Sequence, residues 1–209
     1  MLRILIADDH TVVRKGLRQI LLDEFPTAII EEVADAEELI KKVMTAKWDV
    51  VVSDLSMPGR SGLDALQQIK LSHPALPVLI LSIHPEEQYA LRALKSGASG
   101  YLSKDTAPDE LVKAVQKVLL GKKYISQAIA EKLANTFSSD AVMQSHENLS
   151  DREFDVMKLL ANGKSVSEIA EMLSLSVTTV STYRARVMVK MDLKSNSDLT
   201  KYAIENKLL

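Results

Sequence analysis

Acidic side chains placed at the ends of apolar runs are the residues best suited to chemistry in this chain. Asp54 closes the run Asp49-Val50-Val51-Val52-Ser53 and is followed by Met57-Pro58-Gly59, while Asp8 and Asp9 close Leu2-Arg3-Ile4-Leu5-Ile6-Ala7. An apolar run that stops at a charge and then a Pro-Gly turn reads as a buried strand, so each acid stands at a strand's carboxyl end. In open α/β sheets, that edge is where ligands bind. One strand-end Asp is more often a turn former or helix cap than a reactive group, but here the acids have company. Leu79-Ile80-Leu81 ends in Ser82, and Tyr101-Leu102-Ser103 ends in Lys104. Parallel strands would bring three carboxylates, a hydroxyl and an amine to one edge. Carboxylates so close repel one another unless a cation shares them, which implies a hard, oxygen-liking metal such as Mg2+. With metal and ammonium neutralising the transferring group, an aspartate can attack phosphorus, a step that needs in-line positioning more than acid or base help.

The elements that must position these groups alternate up to about residue 120. Helical spacing of Val12, Val13, Leu17, Ile20 and Leu21 predicts a helix from His10 to Asp23, stopped by Phe25-Pro26. Ala28 to Val33 reads as a strand, Glu37 to Ala46 as a helix, and Ser61 to Leu71 as a helix after the Pro58-Gly59 turn. Leu76 to Ile83 is the next strand. Pro85 to Lys95 is a helix whose end is marked by Gly97 at the left-handed position common there. Gly100 to Ser103 and Ala107 to Leu120 complete five β-α repeats. Repeats of this kind give a parallel sheet covered on both faces, and right-handed crossovers make it doubly wound.

At 209 residues, the chain has room for one large domain or two small ones. It has no cysteine, which excludes disulfides and thiolate metal sites. No apolar run approaches the length of a membrane span, and the N-terminus enters a strand without a signal-peptide pattern, so a cytoplasmic setting is expected. The net charge of -2 hides an asymmetry. From residue 174 onward six basic residues face three acidic ones, whereas residues 141–173 carry six acids against three bases. The basic end permits contact with a phosphate backbone.

Ile125 to Phe137 is predicted as a short amphipathic helix, and Ser138 to Asn148, polar and aperiodic, as a tether. Beyond it everything is helical. Ser150 and Glu153 form a capping box for a helix running to Asn162-Gly163. Ser165 caps Val166 to Leu173, Ser174-Leu175 makes a turn, Ser176 caps Val177 to Met191, and Asn196 to Asn206 closes the chain. Two helices across a short turn, the second longer and polar-faced, describe a helix-turn-helix. On a helical wheel Val180, Tyr183, Val187, Met188 and Met191 share the inner side, while Thr178, Ser181, Thr182, Ala185 and Val189 point away with Arg186 and Lys190 at one flank. Small hydroxylated side chains suit base edges and flanking cations suit phosphates. The expected DNA-contact set is Thr178, Thr179, Ser181, Thr182, Arg186 and Lys190, with Arg184 ranked lower because it lies nearer the inner side.

The order Asp8-Asp9, Asp54, Ser82, Tyr101, Lys104 resembles the receiver domain of bacterial two-component response regulators. Leu149 to Glu153, Ile169-Ala170, Leu173 to Ser176 and Thr179 to Tyr183 resemble the C-terminal module of the NarL/FixJ (LuxR-type) regulators. The resemblance implies an α/β fold: a doubly wound, parallel, five-stranded receiver (CheY-like, flavodoxin-like) over residues 1–121, a linker with a short helix over 122–147, and a small all-α helix-turn-helix domain over 148–209. It makes Asp54 the phosphoacceptor. Asp8, Asp9, Asp54 and the Ser56 backbone carbonyl become Mg2+ ligands, Ser82 and Lys104 contact the phosphoryl group, and Ser82 with Tyr101 forms the switch. The plain alternative for Tyr101 is a half-buried edge-strand tyrosine. The resemblance also implies a regulator rather than an enzyme, catalysing only its own phosphorylation and slow dephosphorylation. Its partners would be a sensor histidine kinase, promoter DNA and a second copy on phosphorylation or DNA binding, with no membrane. Two other classes remain: an aspartyl-phosphate phosphohydrolase, for which the chain has no inserted cap domain, and a phosphorylation-independent transcription factor, which would not need the acid, hydroxyl and lysine set.

Overall fold

Runs of aliphatic and β-branched residues form five short strands, β1 (Arg3–Ala7), β2 (Ile29–Val33), β3 (Val50–Asp54), β4 (Val78–Ser82) and β5 (Gly100–Ser103). The structure is a computed structural model that describes residues 1–131 and 145–209. Helices α1 (Thr11–Glu24), α2 (Ala36–Thr45), α3 (Gly62–Ser72), α4 (Glu86–Lys95) and α5 (Ala107–Leu119) alternate with the strands. Every strand pairing is parallel and the order is β2-β1-β3-β4-β5. The strand order therefore reverses between β1 and β3. At that point the two carboxyl ends splay apart and leave a crevice, and Asp8, Asp9 and Asp54 stand beside it.

Both faces of the sheet are covered, which is why β3 and β4 are buried at every position. Ile4, Ile6, Val50, Val52, Leu79 and Leu81 pack against Leu17 and Leu21 of α1 and against Leu111 and Val115 of α5. Leu5, Val51 and Ile80, which alternate with them, are equally buried. After α5 the chain returns to the sheet, where Tyr124 bridges Gly100. Residues 127–131 are helical. The remainder of the helix expected to Phe137, and most of the expected tether, lie outside the described residues.

The chain divides into two compact units, Met1–Ser139 and Asp140–Leu209. The second contains α6 (Asp151–Ala161), α7 (Val166–Met172), α8 (Val177–Met191) and α9 (Asn196–Glu205). Each starts on a serine that caps it, Ser150, Ser165, Ser176 and Ser195, and Ser150 with Glu153 forms the expected capping box. One part of the expected tether is instead structured. Ser145–Asn148 is a 3-10 turn whose His146 is buried, with Nδ1 2.8 Å from the Tyr202 hydroxyl and the ring stacked on Phe154. The segment lacks periodicity because a single turn is too short to show one.

The turn between α7 and α8 contains Ser174 at φ 54°, in the left-handed region. A side chain there costs about 1–2 kcal/mol, part of which a glycine would return to the flexible unfolded chain. Ser174→Gly is therefore expected to stabilise the C-terminal unit by about 0.5–1 kcal/mol, measured by denaturant unfolding followed in that unit. A loss of stability would show that the serine hydroxyl carries the turn.

Candidate functional site

Backbone hydrogen bonds from the neighbouring strands fix the site before any side chain is considered. Asp8 N–H donates to the Val33 carbonyl at 3.3 Å, Leu55 N–H to Leu81 at 2.8 Å, and Lys104 N–H to Ser82 at 2.8 Å. Each functional residue sits at, or one step past, its strand's last ladder bond, where the side chain leaves the pleat and enters the crevice.

Lys104 holds the centre. Its Nζ lies 2.7 Å from Asp8 Oδ2 and 2.9 Å from Asp54 Oδ2, and both carboxylates are buried. Asp8, Asp9, His10 and Asp54 offer ligand atoms within 4.8 Å of one another. His10 was not in the set expected from sequence. It precedes the first residue of α1 without a side-chain capping bond, and its Nδ1 lies 2.7 Å from Asp9 Oδ1 and 3.3 Å from Asp8 Oδ1. The only hint of this was its place directly after the acidic pair.

Three carboxylates against one ammonium leave two negative charges in a crevice largely shielded from water. Burial pushes the Asp54 carboxyl up, Lys104 opposes this, and Asp8 adds to it, giving a value of about 6. Burial also works against the Lys104 ammonium, but Asp8 and Asp54 outweigh it and hold its pKa above the ordinary range. Asp8 Oδ2 and Asp9 Oδ1 are buried, the first against Lys104 Nζ and the second against His10 Nδ1. A deficit of two positive charges and a cluster of carboxylate oxygens within 4.8 Å of one another fit a hard divalent cation.

A second network adjoins the first. Ser56 N–H donates to Asp54 Oδ1 at 3.3 Å, and Ser56 Oγ lies 3.0 Å from His84 Nε2. The His84 ring stacks on Tyr89 with centroids 4.7 Å apart. The His84 backbone N–H donates to Ser82 Oγ at 3.0 Å and its backbone carbonyl accepts from the Tyr101 hydroxyl at 2.9 Å. Tyr101 is 2% exposed, so it is neither half-buried nor outward in this conformation. Burial pushes its phenol pKa up and a hydrogen bond with Ser82 opposes this only in part, so the hydroxyl stays a donor. The strand pattern could not show this, because β5 ends the sheet but its inner face is closed by α4.

In the helical unit, Thr178, Ser181, Thr182, Ala185, Arg186, Val189 and Lys190 are exposed along α8, while Val180, Val187 and Met191 are buried. Thr179 is half-buried, with its N–H bonded to the Ser176 cap. Two of the expected cations have protein partners. Lys190 Nζ lies 2.6 Å from Glu153 Oε2, and Arg184 donates twice to Asn196 Oδ1 at 3.1 and 3.0 Å. Both partners are distant in sequence, so neither pairing was visible there. Arg186 has no ion pair among the described residues and projects freely.

Comparison with known proteins matches residues 4–116 to the response regulator receiver domain and residues 147–203 to the luxR family of bacterial regulatory proteins. The chain belongs to the NarL/FixJ response-regulator family. This LuxR-type response regulator is 39% identical to the oxygen regulatory protein NreC of Staphylococcus haemolyticus, over 100% of the chain and 99% of that protein. It is 36% identical to the response regulator UvrY of Escherichia coli strain K12, over 100% of the chain and 96% of that protein. Among solved structures it is similar to RcsB from Salmonella enterica serovar Typhimurium bound to the promoter rprA in the presence of the phosphomimetic BeF3-. That match has 28% identity and a TM-score of 0.62, covering 97% of this chain and 98% of that one. The regulator thus joins a receiver to a LuxR-type DNA-binding domain, as expected from its motifs, and no described helix is long and apolar enough to cross a membrane.

Proposed function

We propose that the receiver, residues 1–121, accepts a phosphoryl group on Asp54 from a sensor histidine kinase, and that the domain from 148 to 209 binds promoter DNA through α8. The observation that carries the first part is Lys104 shared between Asp8 and Asp54 at 2.7 and 2.9 Å. An ammonium held there leaves Asp54 ionised at neutral pH and stands ready to pair with an arriving phosphoryl oxygen. Asp8, Asp9, Asp54 and the Ser56 backbone carbonyl would hold Mg2+, which supplies charge neutralisation on the transferring group when bound. The Ser82 oxygen accepts from the His84 backbone N–H, and its hydroxyl would turn from Tyr101 to a phosphoryl oxygen; with Tyr101 it forms the switch. The chain is a regulator, its chemistry limited to its own phosphorylation and dephosphorylation, in a cytoplasmic setting. Incubation with a small phosphodonor and Mg2+, followed by intact mass, is the test; an unmodified mass under conditions that modify a receiver control would reject the reading.

Hydrolysis of the acyl phosphate requires a positioned water. The two side chains nearest that role, Ser56 and His84, are bonded to each other and neither is an acid or amide. A modified state lasting minutes to hours is the expected result. Ser56→Asn with His84→Glu should shorten it several-fold, read as the decay of the phosphorylated mass; an unchanged decay removes these residues from the step.

On α8, Arg186 is proposed to contact a phosphate, and Thr178, Ser181 and Thr182 to meet base edges. Thr179 and Arg184 contribute at the margins, and Lys190 contributes only by exchanging Glu153 for DNA. Arg186→Ala should weaken binding to all sequences and lower the slope of log affinity against log salt by about one. Thr182→Ala should change preference at one base position. The Thr182 hydroxyl already donates to the Thr178 carbonyl at 3.0 Å, leaving its oxygen to accept. Footprints unaffected by either substitution would move the DNA surface off α8. Binding as a homodimer is part of the same proposal, and it would require target sites with two-fold related half-sites.

A further inference from the structure

At the amino ends of the strands, across the sheet from Asp54, lies a cleft of opposite charge. It measures about 380 Å³ and is lined by Lys70, Lys122 and Lys123 together with Pro77, Gly97 and Ser99. Lys70 comes from the last turn of α3, Pro77 and Ser99 precede β4 and β5, and Lys122 and Lys123 follow α5. No acidic side chain lines it, and none of the three ammoniums forms an ion pair among the described residues.

Two of these lysines are held in place. Lys70 Nζ donates to the Leu76 carbonyl at 2.5 Å and to Pro74 at 3.3 Å, and Lys123 Nζ donates to the Ala98 carbonyl. The Lys70 stem runs across Gly97, where an added Cβ would fall 3.1 Å from Lys70 Cγ. An ammonium has three donors, so both lysines keep N–H groups free after these bonds. Burial holds both pKa values below the ordinary lysine range, and Lys123 depresses that of Lys70 further. A solvated lysine would point away from its neighbour and lose nothing. Here the carbonyls fix like charges side by side without a counter-ion, a cost that an anion would relieve.

We propose that this cleft binds a compact phosphorylated small molecule bearing a phosphate or diphosphate group. Three point charges suit a multiply charged, rounded anion, whereas a lone carboxylate is better matched by the planar fork of arginine, which the cleft lacks. Its volume falls in the range of small-molecule pockets. Proline and glycine backbone bounds it on one side and Lys122 and Lys123 stand exposed at its rim, a compact half-open cleft rather than the extended basic stripe along which a nucleic-acid backbone lies.

The test uses the full-length chain with inorganic pyrophosphate in EDTA, so that the acidic pocket cannot recruit the anion through a metal. Saturable shifts of the Gly97, Ser99 and Gly121 amide signals are expected, with calorimetry giving the affinity. Lys70→Met combined with Lys123→Met should weaken binding by at least about tenfold. Because that variant removes backbone hydrogen bonds, Lys122→Glu is the companion: it leaves them intact, reverses one charge, and should also weaken binding about tenfold. Shifts that do not saturate, shifts confined to α8, or an unchanged affinity in Lys122→Glu would overturn the proposal. A short duplex of unrelated sequence that moves these amides at lower concentration than pyrophosphate would overturn it too, giving the cleft to nucleic acid.

Discussion

Asp54→Asn is expected to take up no phosphoryl group from a small phosphodonor and Mg2+, while the unaltered chain gains the mass of one. An amide has neither the charge nor the lone-pair basicity to attack phosphorus. The same carboxylate makes the uptake pH-dependent: with its pKa pushed up to about 6, Asp54 is protonated and unreactive below that value, so uptake should fall as pH drops through 6. A cation favouring the ionised form should move the fall to lower pH. The stability effect has the opposite sign to that of an ordinary salt-bridged acid. A folded pKa above the unfolded one costs nothing below about pH 4, builds through the interval, and is fully present above about 6. A rise from 3.8 to about 6 is worth about 3 kcal/mol. The pull of Lys104 is already contained in that value, so removing the charge should return a gain on the order of 3 kcal/mol. Metal-free Asp54→Asn should therefore be more stable than the parent at pH 7.5 and equal to it near pH 4, by denaturant unfolding. Undiminished phosphorylation of the variant would remove Asp54 from its role.

Gly62→Ala carries the largest expected cost in stability. Gly62 opens α3 with its N–H on the Leu55 carbonyl at 2.9 Å. An added Cβ would fall 1.9 Å from the Asp54 carbonyl oxygen, 2.9 Å from its carbon and 3.1 Å from Leu55 Cα. All three are backbone atoms, so no side-chain rotation relieves the clash. The helix start must lift from the strand, and the capping box between Ser61 and Asp64 must move with it. Overpacking and a strained hydrogen bond together suggest a loss of about 2–4 kcal/mol, seen as a fall of roughly 10 °C in the receiver's unfolding midpoint. Gly16 gives the control. It lies on the exposed side of α1, where an added Cβ would meet nothing within 4 Å, so Gly16→Ala should stabilise by about 0.5–1 kcal/mol. Equal effects of the two substitutions would mean that α3 slides freely on the loop after Asp54.

What sequence revealed and what it concealed divide along a physical line. Strands buried on both faces are unbroken apolar runs, so β1, β3 and β4 and the polar groups that end them were legible, as were the serine caps and Gly97. Parallel β-α alternation then placed Asp8, Asp9, Asp54, Ser82 and Lys104 at one edge. Contacts that depend on how elements pack were not legible. Nothing in the neighbourhood of Gly62 announces a carbonyl at its Cα, and nothing near Tyr101 shows that α4 closes over it. His10 could be assigned to a helix start but not to the acidic crevice. Lys190 looked like a free flanking cation because Glu153 stands a whole helix-turn-helix earlier.

That last pairing joins two helices through one atom. Glu153 Oε2 accepts from Ser150 N–H at 2.7 Å and from Lys190 Nζ at 2.6 Å, and these partners together hold its carboxyl below the ordinary range against the pull of burial. Opening the first turn of α6 therefore costs more while the last turn of α8 holds its lysine in place. Amide hydrogens at the two ends should exchange with solvent at related rates, and Lys190→Met should speed exchange in the first turn of α6, around its partner Glu153. Where DNA draws Lys190 away, the same turn should loosen in the complex.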